Sequence, residues 1–178
     1  DCGRPISVDT RHPGVMRAVL ALGADMINDV AGFRAPGAVE AVAGGQAALC
    51  VMHMLGDPST MQQAPVYRDV VEEVAGFLQD RVELLVAAGI DRSRLVVDPG
   101  IGFGKTQADN LRLLRETRVL ARIGVPVLVG LSRKSLVGHL TGRPAGERMA
   151  GSVGGAIAAV ARGAAIVRVH DVAQTRDA

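Results

Sequence analysis

The feature that most constrains the fold is one layout, repeated six times in 178 residues: a short apolar run, then polar residues, then a loop. Each run has the length of a β-strand, and most are rich in β-branched residues. The runs lie at residues 6–10, 26–30, 49–54, 95–98, 127–131 and 166–171. Apolar residues with helical spacing lie between them, at residues 15–20, 70–85, 111–123 and 154–161. This alternation predicts a parallel sheet with right-handed helical crossovers, in a single domain over residues 1–178.

The composition favours a sheet that is covered by helices. Hydrophobic residues make up 48% of the chain but aromatic residues only 2%, so Val, Leu, Ile and Ala must fill the core. The 20 basic and 18 acidic residues nearly balance and form no basic run, so nucleic acid is not an expected partner. No apolar run is long enough to span a bilayer, and no membrane partner is expected. Cys2 and Cys50 lack metal-ligand spacing and are interpreted as reduced thiols of a cytosolic protein.

Polar side chains gather where each predicted strand ends. Both (β/α)₈ barrels and open α/β sheets place their sites at the carboxyl ends of parallel strands, and periodicity alone does not choose between them. The strand-end residues are Asp9, Asn28, Met52, His53, Asp98, Lys134, Arg168 and His170.

The strand-end residues divide into two chemical sets. Two carboxylates and an amide could hold the amino-amide edge of a flat ring, because a carboxylate accepts two parallel N–H bonds. Lys134, Arg168 and His170 form a cationic set suited to a phosphorylated group. Taken singly, an Asp after a strand is more often a helix cap or turn former, and a lone His53 is more often structural. The six strand ends together favour a site.

The stretch DPGIGFGKT at residues 98–106 ends like a phosphate-binding P-loop. A P-loop has a glycine five positions before the glycine of its Gly-Lys-Thr ending, whereas this chain has Pro99 there. Proline has no N–H to donate to a phosphate, so ATP binding is not predicted. The glycines either bring the backbone close to a ligand or only shape a tight loop, and Phe103 could stack on a ring.

Six segments, in this order and spacing, resemble the dihydropteroate synthase family of pterin-binding TIM barrels. They are SVDT at 7–10, INDV at 27–30, MHMLGDPSTMQ at 52–62, DPGIGFGKT at 98–106, GLSRKS at 130–135 and RVHDV at 168–172. The resemblance covers essentially the whole chain. It implies a transferase that joins dihydropterin pyrophosphate to p-aminobenzoate, releasing pyrophosphate and forming 7,8-dihydropteroate for folate synthesis. Sulfonamides, which mimic p-aminobenzoate, are the inhibitors that it implies.

The resemblance also implies roles for individual residues. The residues expected to bind the pterin are Asp9, Asn28, Met52, Asp98, Phe103, Gly130 and Lys134. Those expected to face the pyrophosphate are Asn28, Arg168 and His170. Ser132 and the Lys134 stem would line the p-aminobenzoate side, and Phe33 and Arg34 would lie in a mobile loop. The residues expected to act in catalysis are Asp9, Lys134, Arg168 and His170.

The resemblance further implies a Mg²⁺ cofactor, a homodimer and a cytoplasmic location. The family barrel has eight strands and this chain supplies six, so we expect two βα units, with the Asn that binds the metal, to precede Ile6. We expect the last helix to begin near Ala178, and residues 1–178 alone not to form dihydropteroate. Two alternatives stay open: a methyltransferase of the same pterin-binding barrel group, and a binding-only homologue that dimerises with an active partner.

Overall fold

Six parallel strands form the centre of the protein. A computed structural model describes residues 3–56, 61 and 65–178. Each predicted apolar run overlaps one strand. The strands are β1 (Ser7–Asp9), β2 (Met26–Asp29), β3 (Ala48–Met52), β4 (Leu95–Asp98), β5 (Leu128–Val129) and β6 (Ile166–Val167). β4 has the same bounds as its run, β3 begins one residue before its run, and the other strands are shorter than theirs.

The strands are arranged in space in the same order as in the chain. β1, β2, β3 and β4 pair in parallel in one sheet, and β5 pairs with β6 in parallel. A parallel bridge between Val97 and Val127, with the Val97 N–H donating to the Pro126 carbonyl at 3.0 Å, connects the two groups. Doubly wound sheets reverse their strand order at the ligand site, whereas barrels do not. The unreversed order therefore favours the barrel over the open sheet.

Helices follow the strands and carry most of the apolar contacts. They are α1 (Pro13–Ala21), α2 (Ala38–Ala43), α3 (Val70–Ala87), α4 (Gln107–Arg115), α5 (Thr117–Ala121), α6 (Ser135–Thr141), α7 (Met149–Val160) and α8 (Val172–Asp177), with 3₁₀ turns at Arg92–Arg94 and Ala145–Glu147. The single helix predicted at residues 111–123 is divided at Glu116. The expectation that the last helix begins near Ala178 is wrong, because α8 begins at Val172. None of the helices in the described part of the chain is long and apolar enough to cross a membrane.

The two faces of the sheet differ in what they bury. Alternate strand residues such as Leu49, Val51 and Val97 point toward the helices and join a large core with Leu78 and Leu85 of α3. The other residues of each strand point to the inner face. There a small cluster consists of Cys50, Val96 and Leu128, with Met26 and Ile166 packed against it. The inner face is therefore closed by an apolar layer below the carboxyl ends of the strands.

Candidate functional site

The side chains above the apolar layer share the inner face because of strand parity. Asp98 lies two residues after Val96, and Asp9 pairs with Asn28 in register. Gly130 follows β5 at the same parity, and Arg168 follows β6. The sequence-predicted residues are thus brought to one mouth at the carboxyl ends of the strands, although they come from all six strands or from the loops that follow them.

Asp98 is a buried carboxylate, 1% exposed, at the end of β4. Its Oδ1 accepts the Gly100 N–H at 2.7 Å, and its Oδ2 lies 3.8 Å from Nη2 of Arg168. Burial raises the pKa of Asp98, while the Lys134 charge, the Gly100 N–H, Arg168 and Lys105 oppose that rise. The carboxylate is therefore held ready for hydrogen-bond donors, with nearby cations favouring its charged form.

Asn28 has an unused acceptor on the same inner face as Asp98. Its Nδ2 donates to Oδ1 of Asp9 at 2.9 Å, which fixes the amide orientation because a carboxylate cannot donate. Its Oδ1 is buried and has no partner among the described residues. Buried polar atoms in folded proteins nearly always have partners. An unpaired acceptor on the inner face therefore marks a position where a ligand N–H fits.

Arg168 joins the two carboxylates across the mouth. Its Nη1 donates to Oδ2 of Asp9 at 3.0 Å, and the pair is partly exposed. The side chain lies over Gly130, where a Cβ would stand 3.2 Å from Nε of Arg168. Gly130 is expected to bind the pterin, and in this structure the Arg168 side chain occupies the space next to it.

A cavity of about 310 Å³ opens at the mouth. It is lined by Asp9, Phe103, Gly130, Ser132, Lys134, Arg168, Val169 and His170. Asn28, Asp98 and Met52 are buried and are not among these lining residues. The cavity joins Ser132, Lys134, Arg168 and His170 directly, whereas the predicted ring-edge residues Asn28 and Asp98 do not line it.

Lys134 connects the two loops that border the cavity. It precedes α6, and its Nζ donates to the Ile101 carbonyl at 2.6 Å while standing 4.8 Å from the centre of the Phe103 ring. Burial lowers the pKa of Lys134 to about 8, and Asp98 opposes that change. Lys134 is thus a cation near neutral pH that loses its charge in mildly alkaline solution.

Ser132 and His170 contact each other at the opposite wall. The Ser132 hydroxyl oxygen accepts the His170 backbone N–H at 3.2 Å and lies 3.0 Å from Nδ1 of the ring. The exposed His170 ring can therefore present Nε2 to a group in the cavity. The separate p-aminobenzoate and pyrophosphate roles that we predicted for these two residues stay predictions.

Two glycines of residues 98–106 allow the loop to pack closely against the backbone of the segment after β3. At Gly100, with φ +68°, an added Cβ would lie 2.0 Å from the His53 carbonyl oxygen. At Gly104, with φ +65°, it would lie 2.8 Å from the backbone oxygen of Leu55. The loop needs these glycines in order to pack on the segment after β3, so the loop-shaping interpretation applies to both.

Phe33 and Arg34 lie in the loop that follows β2. Phe33 is buried with φ +56°, and its N–H donates to Oδ2 of Asp29 at 2.8 Å. Arg81 donates from Nη2 to the Phe33 carbonyl at 2.9 Å. The mobility of this loop stays a prediction. Part of the predicted segment at 52–62, and Cys2, lie outside the described residues.

Lys105 was not assigned a role from the sequence, and His53, which was named there as a strand-end residue, contacts Lys105 and does not line the cavity. Nζ of Lys105 lies 2.9 Å from Nδ1 of His53 and donates to the Gly100 and Phe103 carbonyls at 3.1 and 3.0 Å. The signal was present in the Gly-Lys-Thr ending. Pro99 excludes a phosphate partner for that lysine, but the sequence does not show which group the lysine contacts instead.

The chain is similar in sequence to proteins of known family. The family model described as "Pterin binding enzyme" matches residues 1–170. A dihydropteroate synthase from Neisseria meningitidis serogroup C is 51% identical over 180 residues, which is 99% of this chain and 64% of the relative. One from Escherichia coli strain K12 is 43% identical over 173 residues, which is 97% of this chain and 61% of the relative. The chain thus spans less than two thirds of the length of these relatives.

Solved structures show the same similarity. Dihydropteroate synthase from Xanthomonas albilineans with 4-aminobenzoic acid superposes with a TM-score of 0.92 at 53% identity, covering 97% of this chain and 62% of that one. The Yersinia pestis enzyme in a sulfonamide drug complex has a TM-score of 0.94 at 43% identity, covering 97% and 63%. These neighbours are TIM barrels, which confirms the predicted fold class: the chain forms a partial parallel α/β barrel.

Proposed function

This chain belongs to the family of pterin binding enzymes, and from that premise we propose that it acts as a dihydropteroate synthase. In this reaction the carbon–oxygen bond between the pterin methylene and pyrophosphate breaks, and pyrophosphate leaves with the electron pair. The amino nitrogen of p-aminobenzoate then bonds to the methylene and loses a proton, which gives 7,8-dihydropteroate. The relatives named dihydropteroate synthase, at 43–51% identity, support the proposal.

The observation that carries the proposal is the presence of two buried acceptor side chains on the inner face, one of which has an oxygen left unpaired in the described part of the chain. Asp98 presents a buried carboxylate, and Asn28 presents a buried Oδ1 without a partner in the described residues. A pterin ring carries adjacent N–H groups along its amino-amide edge, and such an edge needs acceptors side by side. Binding the ring would therefore satisfy a buried polar atom that is otherwise costly to leave unpaired.

The cationic residues have a separate role in this reaction. An aryl amine is a weak nucleophile, so departure of pyrophosphate leads and leaves positive charge on the pterin methylene. Arg168, His170 and Lys134 would attract the leaving anion, while Asp9 and Asp98 favour the electron-poor ring. The protein then acts by placing fixed charges, and no covalent nucleophile is needed.

A product assay with labelled p-aminobenzoate tests the proposal. The protein at its natural length should form dihydropteroate from dihydropterin pyrophosphate, and a sulfonamide should compete with p-aminobenzoate. Methyl transfer from a methylated folate without dihydropteroate formation would indicate the methyltransferase instead. Pterin binding without turnover of either kind would indicate the binding-only homologue.

Mg²⁺ is proposed only as a companion of the substrate. Within residues 3–56, 61 and 65–178, no group of three or more His, Cys, Asp or Glu side chains could hold a metal ion. These residues do not fit a resident metal, and no step of the proposed reaction depends on one. Mg²⁺ binds substrate phosphates with few protein ligands. Calorimetry of pyrophosphate binding, with and without Mg²⁺, measures whether the ion contributes.

We also propose a homodimer formed through α6 and α7, and a cytoplasmic location. Leu140 is 57% exposed on α6, and Ile157 and Val160 are about half exposed on α7. A second copy of the chain would bury this apolar face. Val160→Glu should convert a dimer into a monomer in analytical ultracentrifugation.

Cys50, a buried free thiol, supports a reducing compartment, which cell fractionation can test.

A further inference from the structure

Lys105 is a buried lysine that the proposed reaction does not use. It is 3% exposed, and its side chain points away from the cavity into the packing between β3 and the loop after β4. Transferring an ammonium group out of water is costly unless it is fully hydrogen-bonded. Because of this cost, we expect the Lys105 ammonium to supply hydrogen bonds or charge that an apolar side chain at this position could not supply.

The surroundings of Nζ match a charged lysine. Its three shortest contacts are Nδ1 of His53 at 2.9 Å, the Phe103 carbonyl at 3.0 Å and the Gly100 carbonyl at 3.1 Å. An ammonium has three N–H donors for these three acceptors, whereas a neutral amine has two. Burial, followed by the Lys105 charge, lowers the pKa of His53 to about 3, so the ring is neutral and accepts at Nδ1 in the tautomer that carries its proton on Nε2.

These contacts fix the loop that carries the ring-binding residues. Gly100 and Phe103 lie between Asp98 and Lys105 in the chain, and both of their carbonyls accept from the same ammonium. His53 belongs to the adjacent segment, where its backbone N–H donates to the Asp98 carbonyl at 3.0 Å. The Lys105 ammonium therefore connects the loop after Asp98 to the His53 segment, which is itself hydrogen-bonded to the Asp98 backbone.

Lys105 also adds charge beneath Asp98. It is one of the cations that oppose the rise in the pKa of Asp98, and Asp98 in turn opposes the fall in the pKa of Lys105 to about 7 that burial causes. The other titratable and charged groups that face this pair from neighbouring elements are Asp9, Cys50, His53, Asp109, Lys134 and Arg168.

We propose that Lys105 is a positioning residue for the pterin site: its ammonium, held by His53, aligns the loop of Asp98 and Phe103 and keeps the Asp98 carboxylate charged for the ring edge. The inference rests on the proposed function, because it assumes that the ring bound by Asp98 is a pterin. Lys105 itself contacts no substrate and acts through Asp98.

The test compares Lys105→Met with Arg94→Met in the protein at its natural length. Arg94 is a matched control: it is also a buried cation, and it donates to the Val42, Ala43 and Ala47 carbonyls, but it lies at the opposite end of β4. Calorimetry measures the affinity for a pterin lacking phosphates between pH 5 and 8. Each value is divided by that of the unaltered protein, so the titration of the ligand cancels.

Lys105→Met should lose about tenfold in pterin affinity at neutral pH, the size of a lost charge-assisted contact. As the pH is lowered, the affinity of Lys105→Met should begin to fall at a higher pH than that of the unaltered protein. The reason is that Asp98 without the neighbouring cation takes up a proton more readily. Arg94→Met should unfold at a lower temperature but keep both the affinity and its pH profile. Equal affinity losses in the two variants, or a loss without a change in the pH profile, would overturn the proposal.

A measurement on the unaltered protein covers the case in which Lys105→Met does not fold. Two-bond ¹H–¹⁵N NMR of the His53 ring should place the proton on Nε2 and leave Nδ1 as the acceptor. A proton on Nδ1 would make Lys105 a neutral acceptor and overturn the proposal. Absence of pterin binding by the unaltered protein would overturn the proposed function, and this inference with it.

Discussion

The two faces of the sheet show how one set of strands serves two purposes. The helix-covered face buries Leu49, Val51 and Val97 against α3, and it holds nearly all of the apolar core. The inner face buries a small apolar cluster of Cys50, Val96 and Leu128, and it places Asp98 and the other polar residues above that cluster. Neighbouring residues of one strand therefore have different roles: one packs in the apolar core, and the next faces the inner side of the sheet.

The difference follows from the period of two in a β-strand. Apolar burial stabilises the fold at about 25 cal/mol per Å² and is spread over many side chains. Buried charges and an unpaired amide oxygen cost stability unless a ligand completes their bonds. Variants of the two faces should therefore separate stability from binding, with the largest effect expected for a core truncation and the smallest for a cation beside the cavity.

Leu78→Ala tests the helix-covered face. Leu78 of α3 is fully buried, and its truncation should lower the free energy of unfolding by about 2–5 kcal/mol through lost burial and a residual cavity. Pterin affinity of the folded protein should stay the same. Denaturant unfolding and calorimetry measure the two quantities. A large affinity loss with little destabilisation would show that the two faces are not independent.

Asp98→Asn tests the inner face. The amide offers one acceptor and one donor where the ring edge needs two acceptors, so pterin binding should weaken by roughly 1.5–3 kcal/mol, tenfold to more than a hundredfold. Because burial raises the pKa of Asp98, the folded protein binds its proton more tightly than the unfolded chain. The charged carboxylate thus opposes folding above its ordinary pKa, and the variant should be no less stable at pH 7. Unchanged affinity in calorimetry would show that the ring-edge assignment is wrong.

Arg168→Ala tests the division between ring and anion residues within the inner face. Affinity for the pyrophosphate ester should fall about tenfold, or ~1.4 kcal/mol, while a pterin lacking phosphates should lose much less. Competition binding with the two ligands measures the ratio. Equal losses for both ligands would remove Arg168 from the anion site.

Lys134→Met should give the smallest effect, shared by both substrates. Affinity for pterin and for a sulfonamide should each fall roughly two- to fivefold, the size of a cation–π contact. In the unaltered protein this contribution is present below pH 8 and is lost as pH rises through about 8, where Lys134 gives up its proton. The variant should lack that change in binding assays across pH 7 to 9. A loss for only one ligand would contradict the placement of Lys134 between the substrates.

Local patterns were enough to predict the sheet, because β-branched runs and their spacing decide where strands lie. Strand ends were less certain: β5 has only two residues, although the apolar run covers residues 127–131. The break at Glu116 and the short helices α2, α6 and α8 depend on packing around the sheet, and these helices are too short to be predicted from their apolar spacing. The mouth of the site could be predicted because parallel strands bring their carboxyl ends together. The Lys105–His53 contact could not be predicted, since it depends on how closely Gly100 approaches the His53 backbone after β3.

The ion pair between Arg168 and Asp9 has a consequence for the order in which the site assembles. The two residues are 159 positions apart in the sequence, and they come from the first and the last strands. Contacts over so long a separation carry a large loop-closure cost and form late in folding. Helices and neighbouring strands can form while the chain is still being synthesised, but the arginine that completes the charge balance arrives only with β6. A folding intermediate lacking β6 would therefore have Asp9 and Asp98 at the mouth without this cation, so full affinity for an anion should appear only after β6 has joined the sheet.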